Sequence, residues 1–183
     1  DIIAVGPGVE NVKVGDRVTY CMVLGSYAGH RVIDAWNLIK IPDGMTDEQA
    51  AAITLRGLTV QYLLKSSYPV QKGDTILTHG AAGGIGLFAC QWAKYLGATG
   101  IGTVGSDEKA EIAAAHGCDH PVVYTRDSFL DKVMEVTDGE GVPVVYDSVG
   151  KDTFDDGLKC LRRHGRMVNF GTASGPPPPV EVP

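Results

Sequence analysis

The spacing of hydrophobic positions changes after Met45. Before it, short apolar runs are separated by Gly, Pro, Asp and Asn, a pattern typical of strands joined by turns. The pattern predicts strands at Asp1–Val5, Arg17–Val23, Ala28–Ile33 and Leu38–Ile41. Four short strands of this kind indicate part of a small antiparallel barrel.

A helical region follows the predicted strands. The sequence Thr46–Gln49 (TDEQ) predicts a capping box, in which the threonine hydroxyl and the glutamine side chain each bind a backbone N–H group of the other residue. We expect two helical stretches, Asp47–Thr54 and Leu58–Lys65, which end at the Ser66–Pro69 segment.

From Gly73 onward the chain alternates between strand and helix patterns. The strand segments are continuous Val/Ile-rich runs, as parallel strands covered on both faces require, so we expect a doubly wound α/β sheet. The predicted strands are Thr75–His79, Gly100–Val104, Pro121–Tyr124, Val142–Asp147 and Arg166–Phe170, and the predicted helices are Gly84–Leu96, Asp107–His116, Phe129–Val136 and Thr153–Leu161.

Both ends of the chain suggest a piece of a longer protein. A doubly wound sheet of the usual kind has six strands, of which five are visible here. The chain begins with Asp1 rather than Met, and Pro176–Pro179 follow the fifth predicted strand. We therefore expect a fragment, with segments absent at both ends.

Composition and charge exclude several functional classes. The 16 Lys and Arg residues against 22 Asp and Glu give a net charge of −6, which disfavours nucleic-acid or anionic-membrane binding. No apolar run is long enough to span a bilayer. The four cysteines form no CxxC pair, so neither a disulfide framework nor a structural zinc site is predicted. We expect a cytoplasmic protein with reduced thiols.

The segment His79–Gly86 (HGAAGGIG) carries the clearest chemical signal. It lies between a predicted strand and helix, where residues without Cβ let a pyrophosphate approach the backbone N–H groups at the helix N-terminus. The alternative is a tight turn that binds nothing. A P-loop fits poorly, because Leu87 and Phe88 follow Gly86 where Lys and Ser or Thr are needed.

The residues leave the choice of nicotinamide cofactor open, with a preference for NADPH. Asp107 follows Gly86 by 21 residues, close to the separation of an acid that binds a ribose 2′-OH. However, Asp107 also falls in the first turn of a predicted helix, where a carboxylate interacts favourably with the helix dipole. Lys109 is either a contact to a 2′-phosphate or a solvated surface lysine.

Several collinear segments resemble the quinone oxidoreductase branch of the medium-chain dehydrogenase/reductase family, particularly its bacterial NADPH:quinone reductases. They are Val12–Val18, Arg56–Leu64, His79–Ala98, Ile101–Ala110, Val144–Phe154 and Met167–Gly171. The resemblance implies a partial GroES-like substrate or catalytic domain over residues 1–55. It implies an NADP-binding Rossmann domain over residues 56–183, with its C-terminal part missing.

The resemblance also implies roles for individual residues. Those around the pyrophosphate are Gly83, Gly84, Ile85 and Gly86; those around the 2′-phosphate are Gly105, Lys109 and Tyr124; those along the ribose and nicotinamide are Thr59, Ser148, Val149, Phe170 and Gly171. Arg56 and Thr59 are candidates for the active-site floor, and the catalytic residues are otherwise unknown. Each side chain also has a structural interpretation, such as a surface role for Arg56 or core packing for Phe170.

The resemblance further implies a zinc-independent enzyme. Zinc-dependent relatives carry a four-cysteine lobe where this chain has only Cys21, so we expect no metal. The implied reaction is hydride transfer from NADPH to a quinone or related α,β-unsaturated carbonyl, by a protein that is a homodimer when full length. We expect this chain alone to be inactive. The alternative is a non-catalytic dinucleotide-binding module, a sensor or scaffold.

Overall fold

The computed structural model describes residues 1–180, so the last three residues of the predicted domain 56–183 lie outside the described part. The chain divides into two compact units, one from Asp1 to Leu58 and one from Thr59 onward. No helix within residues 1–180 is both long and apolar enough to cross a membrane.

The first unit contains a small antiparallel sheet. Strand β1 (Val18–Thr19) pairs with β2 (Ile39–Lys40), and a single 3₁₀ turn precedes β2. These strands lie within the predicted segments Arg17–Val23 and Leu38–Ile41. The predicted piece of a barrel is therefore represented by two short strands in the part of the chain that the structure describes.

The other two predicted strands of the first unit are wrong. In the Asp1–Val5 segment, Ile2 N donates to Asp16 O at 3.0 Å and Gly15 N donates to Ile2 O at 2.9 Å, but the pairing goes no further. The segment Ala28–Ile33 is irregular. An apolar extended run becomes a strand only when a neighbouring strand satisfies its backbone groups, and the sequence pattern does not report that neighbour.

The predicted break between two helices is also wrong. Helix α1 runs without interruption over Asp47–Tyr62 and is followed by a π-helical turn, Leu63–Ser67. Gly57 keeps helical backbone geometry, and a single glycine costs a helix only about 1 kcal/mol relative to alanine. One weak position therefore does not interrupt a helix of this length.

The capping box at the start of α1 is confirmed. Thr46 N donates to Gln49 Oε1 at 3.0 Å, and Gln49 N donates to Thr46 Oγ1 at 3.2 Å. The two side chains thus satisfy backbone donors that the first helical turn leaves without acceptors.

The second unit is a doubly wound sheet, which confirms the predicted fold class. Within residues 1–180 five parallel strands have the order β5-β4-β3-β6-β7. The strands are β3 (Thr75–His79), β4 (Thr99–Val104), β5 (His120–Val123), β6 (Val142–Asp147) and β7 (Leu161–Asn169); the helices are α2 (Gly84–Tyr95), α3 (Asp107–Ala115), α4 (Phe129–Val136) and α5 (Phe154–Lys159).

The sheet is covered on both faces, as its continuous apolar strands predict. Ile76 of β3 packs in a core cluster with Ala89 of α2, whereas the next residue, Leu77, packs in another with Val133 of α4. Because the strand order reverses between β3 and β6, their carboxyl ends form the switch point at which folds of this type bind ligands.

Strand β7 begins earlier than predicted, at Leu161 instead of Arg166. Its pairing with β6 is irregular between Val142 and Val144, and His164 there has a positive φ of 61°. A bulge interrupts the alternating or continuous apolar pattern of a strand, so the part of the strand before the bulge cannot be recognised from the sequence.

Candidate functional site

The glycine-rich turn between β3 and α2 is anchored to the neighbouring strand. Ala81 N donates to Thr103 O of β4 at 2.9 Å, and Gly83 N donates to Gly80 O at 2.9 Å. Gly80 has a φ of +70°, which glycine adopts without strain. The turn is therefore fixed by backbone hydrogen bonds and by a conformation that residues with a Cβ rarely adopt.

The N-terminus of α2 is open. Its N-cap is Gly83, in extended conformation (φ −77°, ψ 169°), so no side chain caps the helix. Gly83 and Gly84 are exposed and Ile85 is half-buried. The N–H groups of a first helical turn have no acceptor within the helix, and the helix dipole places partial positive charge there. This arrangement suits an anion such as a phosphate group.

Close packing behind the turn explains two further glycines. A Cβ on Gly86 would lie 2.6 Å from Ala81 Cα. A Cβ on Gly102 of β4 would lie 2.5 Å from Ala81 Cβ and 2.6 Å from Cys118 Sγ. Sequence reasoning identified Gly86 but missed Gly102, because a glycine inside a strand carries no motif and its neighbours come from distant segments.

The turn after β6 is organised by a buried carboxylate. Asp147 Oδ1 accepts hydrogen bonds from Val149 N at 2.8 Å, Gly150 N at 3.0 Å and Thr153 Oγ1 at 2.9 Å. The side chain of Asp147 is fully buried. One oxygen therefore holds three donors and fixes the course of the β6–α5 turn, a role that the sequence reading did not assign.

The β6–α5 turn contacts the glycine-rich turn and the end of β7. Ser148 Oγ donates to His79 O at 3.2 Å, and Phe170 N donates to Asp147 O at 2.8 Å. A Cβ on Gly171 would lie 2.8 Å from Ser148 O. The carboxyl ends of the parallel strands β3, β6 and β7 therefore bring together Ser148, Val149, Phe170, Gly171 and the glycines of the first turn.

A buried histidine lies beneath these turns. His79 Nδ1 is 2.9 Å from Thr103 Oγ1, and its ring packs edge-on against Phe129 with centroids 5.0 Å apart. Burial lowers the pKa of His79 to about 4, although the nearby carboxylate of Asp147 acts in the opposite direction. Among the described residues, no hydrogen-bond partner faces the buried atoms His79 Nε2 and Asp147 Oδ2.

The predicted 2′-phosphate residues lie at the ends of β4 and β5. Gly105 is exposed, with no atom within 4 Å of the position that a Cβ would take. Lys109 is exposed in the first part of α3, and Ser106 Oγ accepts its N–H at 3.3 Å. Tyr124 N donates to Val104 O at 3.1 Å, which brings the partly exposed Tyr124 next to the end of β4.

The two candidates for the active-site floor belong to different compact units. Arg56 is exposed on α1 in the first unit, and Thr59 is buried at the start of the second. Their catalytic role stays a prediction.

Comparison with known proteins identifies the family. A sequence model of the zinc-binding dehydrogenase family matches residues 84–183. The chain belongs to this family. It is 51% identical over 177 residues to a quinone oxidoreductase of Pseudomonas aeruginosa, a match that covers 96% of this chain and 54% of the relative. It is 46% identical to a 2-haloacrylate reductase of Burkholderia, with 97% and 54% coverage.

The solved structures agree with the sequence relatives. The crystal structure of the Escherichia coli quinone oxidoreductase complexed with NADPH superposes with a TM-score of 0.90 at 46% identity, and covers 98% of this chain and 55% of that chain. The predicted resemblance to the quinone oxidoreductases is therefore confirmed. The chain spans about half the length of the relatives it matches.

The described residues do not form the metal site that the family's name suggests. Over residues 1–180 no three or more His, Cys, Asp or Glu side chains are grouped so that they could hold a metal ion. All four cysteines are free, and Cys90, Cys118 and Cys160 are buried. We therefore assign no step to zinc.

Proposed function

We propose that this chain binds NADPH at the carboxyl edge of its sheet and that the whole protein transfers hydride from NADPH to a quinone or related α,β-unsaturated carbonyl. The observation that carries the proposal is the uncapped start of α2, where Gly83 and Gly84 are exposed and Gly86 has no room for a side chain. The relatives named quinone oxidoreductase and 2-haloacrylate reductase, and the NADPH complex of one solved neighbour, support it.

The chain's own groups suit a dinucleotide. We infer that the backbone N–H groups of Gly84, Ile85 and Gly86 donate to the pyrophosphate oxygens, assisted by the dipole of α2. Ser148 and Val149 lie in a turn that a buried carboxylate and a hydrogen bond to His79 O already hold in place. Such a preformed turn binds a ligand with little loss of conformational entropy.

Bound NADPH supplies the hydride, so the protein must orient the nicotinamide ring against an electron-poor carbon and exclude water. The turns after β6 and β7, with Ser148, Val149, Phe170 and Gly171, are the part of this chain that we assign to the ribose and nicotinamide. We also propose that residues 56–183 form the NADP-binding domain and residues 1–55 part of the substrate domain, with Arg56 and Thr59 at the active-site floor.

The proposal also includes the oligomeric state and the location of the protein. We propose a homodimer for the full-length enzyme and a cytoplasmic location. Sedimentation analysis of the full-length enzyme tests the first, and subcellular fractionation tests the second.

A pair of variants at Gly83 tests the cofactor site. In Gly83→Asp, the carboxylate is a favourable N-cap that keeps α2 folded, but it puts negative charge where we place the pyrophosphate. In Gly83→Asn, the side chain has the same shape, caps equally well and carries no charge. Isothermal titration of the 183-residue chain with NADPH should therefore detect binding by the wild type, weaker binding by the Asn variant, and about tenfold weaker binding again by the Asp variant.

Equal NADPH affinities of the Asp and Asn variants would reject this site. Gly29→Ala serves as a control for the effect of replacing a glycine as such, because an added Cβ there meets nothing within 4 Å. Consumption of NADPH in the presence of para-benzoquinone by the full-length enzyme tests hydride transfer. Binding without consumption would instead support a sensor or scaffold.

A further inference from the structure

A charged pair lies at the carboxyl edge of β4 and β5, beside the predicted 2′-phosphate residues. Arg126 Nη1 donates to Asp107 Oδ2 at 3.2 Å and Arg126 Nη2 donates to Asp107 Oδ1 at 3.2 Å. Arg126 Nη2 also donates to Asp127 Oδ2 at 3.2 Å. These two carboxylates raise the pKa of the Arg126 guanidinium, which stays charged. Both oxygens of Asp107 are therefore engaged by one cation.

Backbone hydrogen bonds fix where this pair lies. Asp107 is the first residue of α3, directly after the N-cap Ser106. Arg126 N donates to Val123 O at 2.9 Å, which forms a turn directly after β5, and Tyr124 N donates to Val104 O at 3.1 Å, which holds this segment beside the end of β4. The neighbouring Gly105 is open to solvent. The pair thus borders the strand end at which a doubly wound fold receives the adenosine ribose of a dinucleotide.

The pairing changes what Asp107 can do. An acid at this strand end accepts a hydrogen bond from the ribose 2′-OH of NADH and repels the 2′-phosphate of NADPH. Here the guanidinium of Arg126 donates to both carboxylate oxygens of Asp107 and offsets their charge, while it also donates to Asp127. An acid held in this way neither accepts the 2′-OH freely nor presents an unpaired negative charge to a phosphate.

We propose that Arg126 is a specificity-determining residue, which selects NADPH over NADH by holding Asp107 in a two-pronged ion pair. This inference rests on the proposed function, because it concerns the choice between two cofactors at that same site. The other charged groups at this edge are Lys109, Glu108 and Asp127, all exposed. Loss of Arg126 would leave the carboxylates of Asp107 and Asp127 without this cation.

The pair contributes to selectivity more than to stability. The side chains of Arg126 and Asp107 are 60% and 75% exposed, and exposed ion pairs stabilise folded proteins only slightly. Variants at these positions should therefore fold and unfold like the wild type. Cofactor selectivity can then be measured on folded protein.

A double-mutant cycle tests the proposal. The ratio of the NADH to the NADPH dissociation constant is measured by isothermal titration of the wild-type chain and of Arg126→Gln, Asp107→Asn and the double variant. We expect Arg126→Gln to lower the ratio about tenfold, because an unpaired acid now repels the 2′-phosphate and accepts the 2′-OH. Adding Asp107→Asn should raise the ratio again, because the acid at the start of α3 is gone and only Asp127 is left without its cation.

Arg162→Gln is the matched control. Arg162 pairs with Glu140 at 3.8 Å, near the amino ends of β6 and β7, so the variant makes the same change of net charge away from α3. The ratio should not change there. An unaltered ratio in Arg126→Gln, or a ratio in the double variant as low as in Arg126→Gln alone, would overturn this inference without affecting the proposal that the chain binds NADPH. Failure of the wild type to bind either cofactor would overturn the proposed function itself.

Discussion

The buried histidine His79 predicts a specific dependence of stability on pH. It is only 1% exposed, its Nδ1 is 2.9 Å from Thr103 Oγ1, and its ring packs edge-on against Phe129. Burial lowers its pKa from 6.5 to about 4 in the folded protein, against a smaller opposing effect of Asp147. Near neutral pH the imidazole is therefore uncharged in the folded state.

The sign of the effect follows from proton binding. Between pH 6.5 and pH 4 the unfolded chain holds a proton on His79 that the folded chain does not, so acidification favours unfolding. The stabilisation is fully present above pH 6.5, falls as the pH falls, and is gone below about pH 4. The difference between the two pKa values corresponds to about 3 kcal/mol of unfolding free energy.

Urea unfolding of wild type and His79→Gln, followed by circular dichroism at steps from neutral pH to about pH 4, measures this contribution. The stability difference between the two proteins should shrink by about 3 kcal/mol across the interval, because only the wild type carries the titrating group. Thr103→Val is the control: it removes the hydrogen-bond partner but keeps the buried imidazole, so its curve should stay parallel to the wild type. Parallel curves for wild type and His79→Gln would refute the reasoning.

Two further substitutions test how the turns of the site are held. Asp147→Ala removes the acceptor of three hydrogen bonds at once, so the free energy of urea unfolding should fall by about 3–5 kcal/mol. Thr153→Val removes one donor and should lower it by about 1 kcal/mol, and equal losses would contradict the assigned role. Gly86→Ala places a Cβ 2.6 Å from Ala81 Cα, so the free energy of unfolding should fall by about 1–3 kcal/mol and titration should show weaker binding of NADPH. An unchanged free energy of unfolding or an unchanged NADPH affinity would show that the turn adapts to the added Cβ.

Most elements of the second unit could be predicted to within two residues, although β7 begins five residues before its predicted start. The predicted bounds of Thr75–His79, Val142–Asp147 and Phe129–Val136 agree with β3, β6 and α4. These buried strands are short and largely covered on both faces, which leaves little freedom in their bounds, and Ser128 caps α4 by accepting a hydrogen bond from Asp131 N. Local chemistry decides these elements, so the local sequence predicts them.

Features that depend on distant partners could not be predicted. The ion pair of Arg126 with Asp107 requires the register of β4 against β5, and the need for glycine at position 102 comes from Ala81 and Cys118. The prediction of a strand at Asp1–Val5 is wrong for the same reason. This segment has the composition of a strand, but only one of its residues has strand-like pairing. Sequence analysis assigned candidate residues to the site, but it did not identify the residues that hold them in position.

The residues that hold the site suggest how it binds a cofactor. Ser148 Oγ is bonded to His79 O, Ala173 N donates to Ser148 O at 3.2 Å, and Phe170 N donates to Asp147 O. Each bond joins the carboxyl ends of neighbouring strands, so the turns after β3, β6 and β7 are connected through protein groups alone. Since these turns need no ligand to order them, cofactor affinity should depend mainly on charge at the α2 and α3 N-termini. For that reason the Gly83 and Arg126 variants, which alter charge on a preformed surface, separate binding from folding.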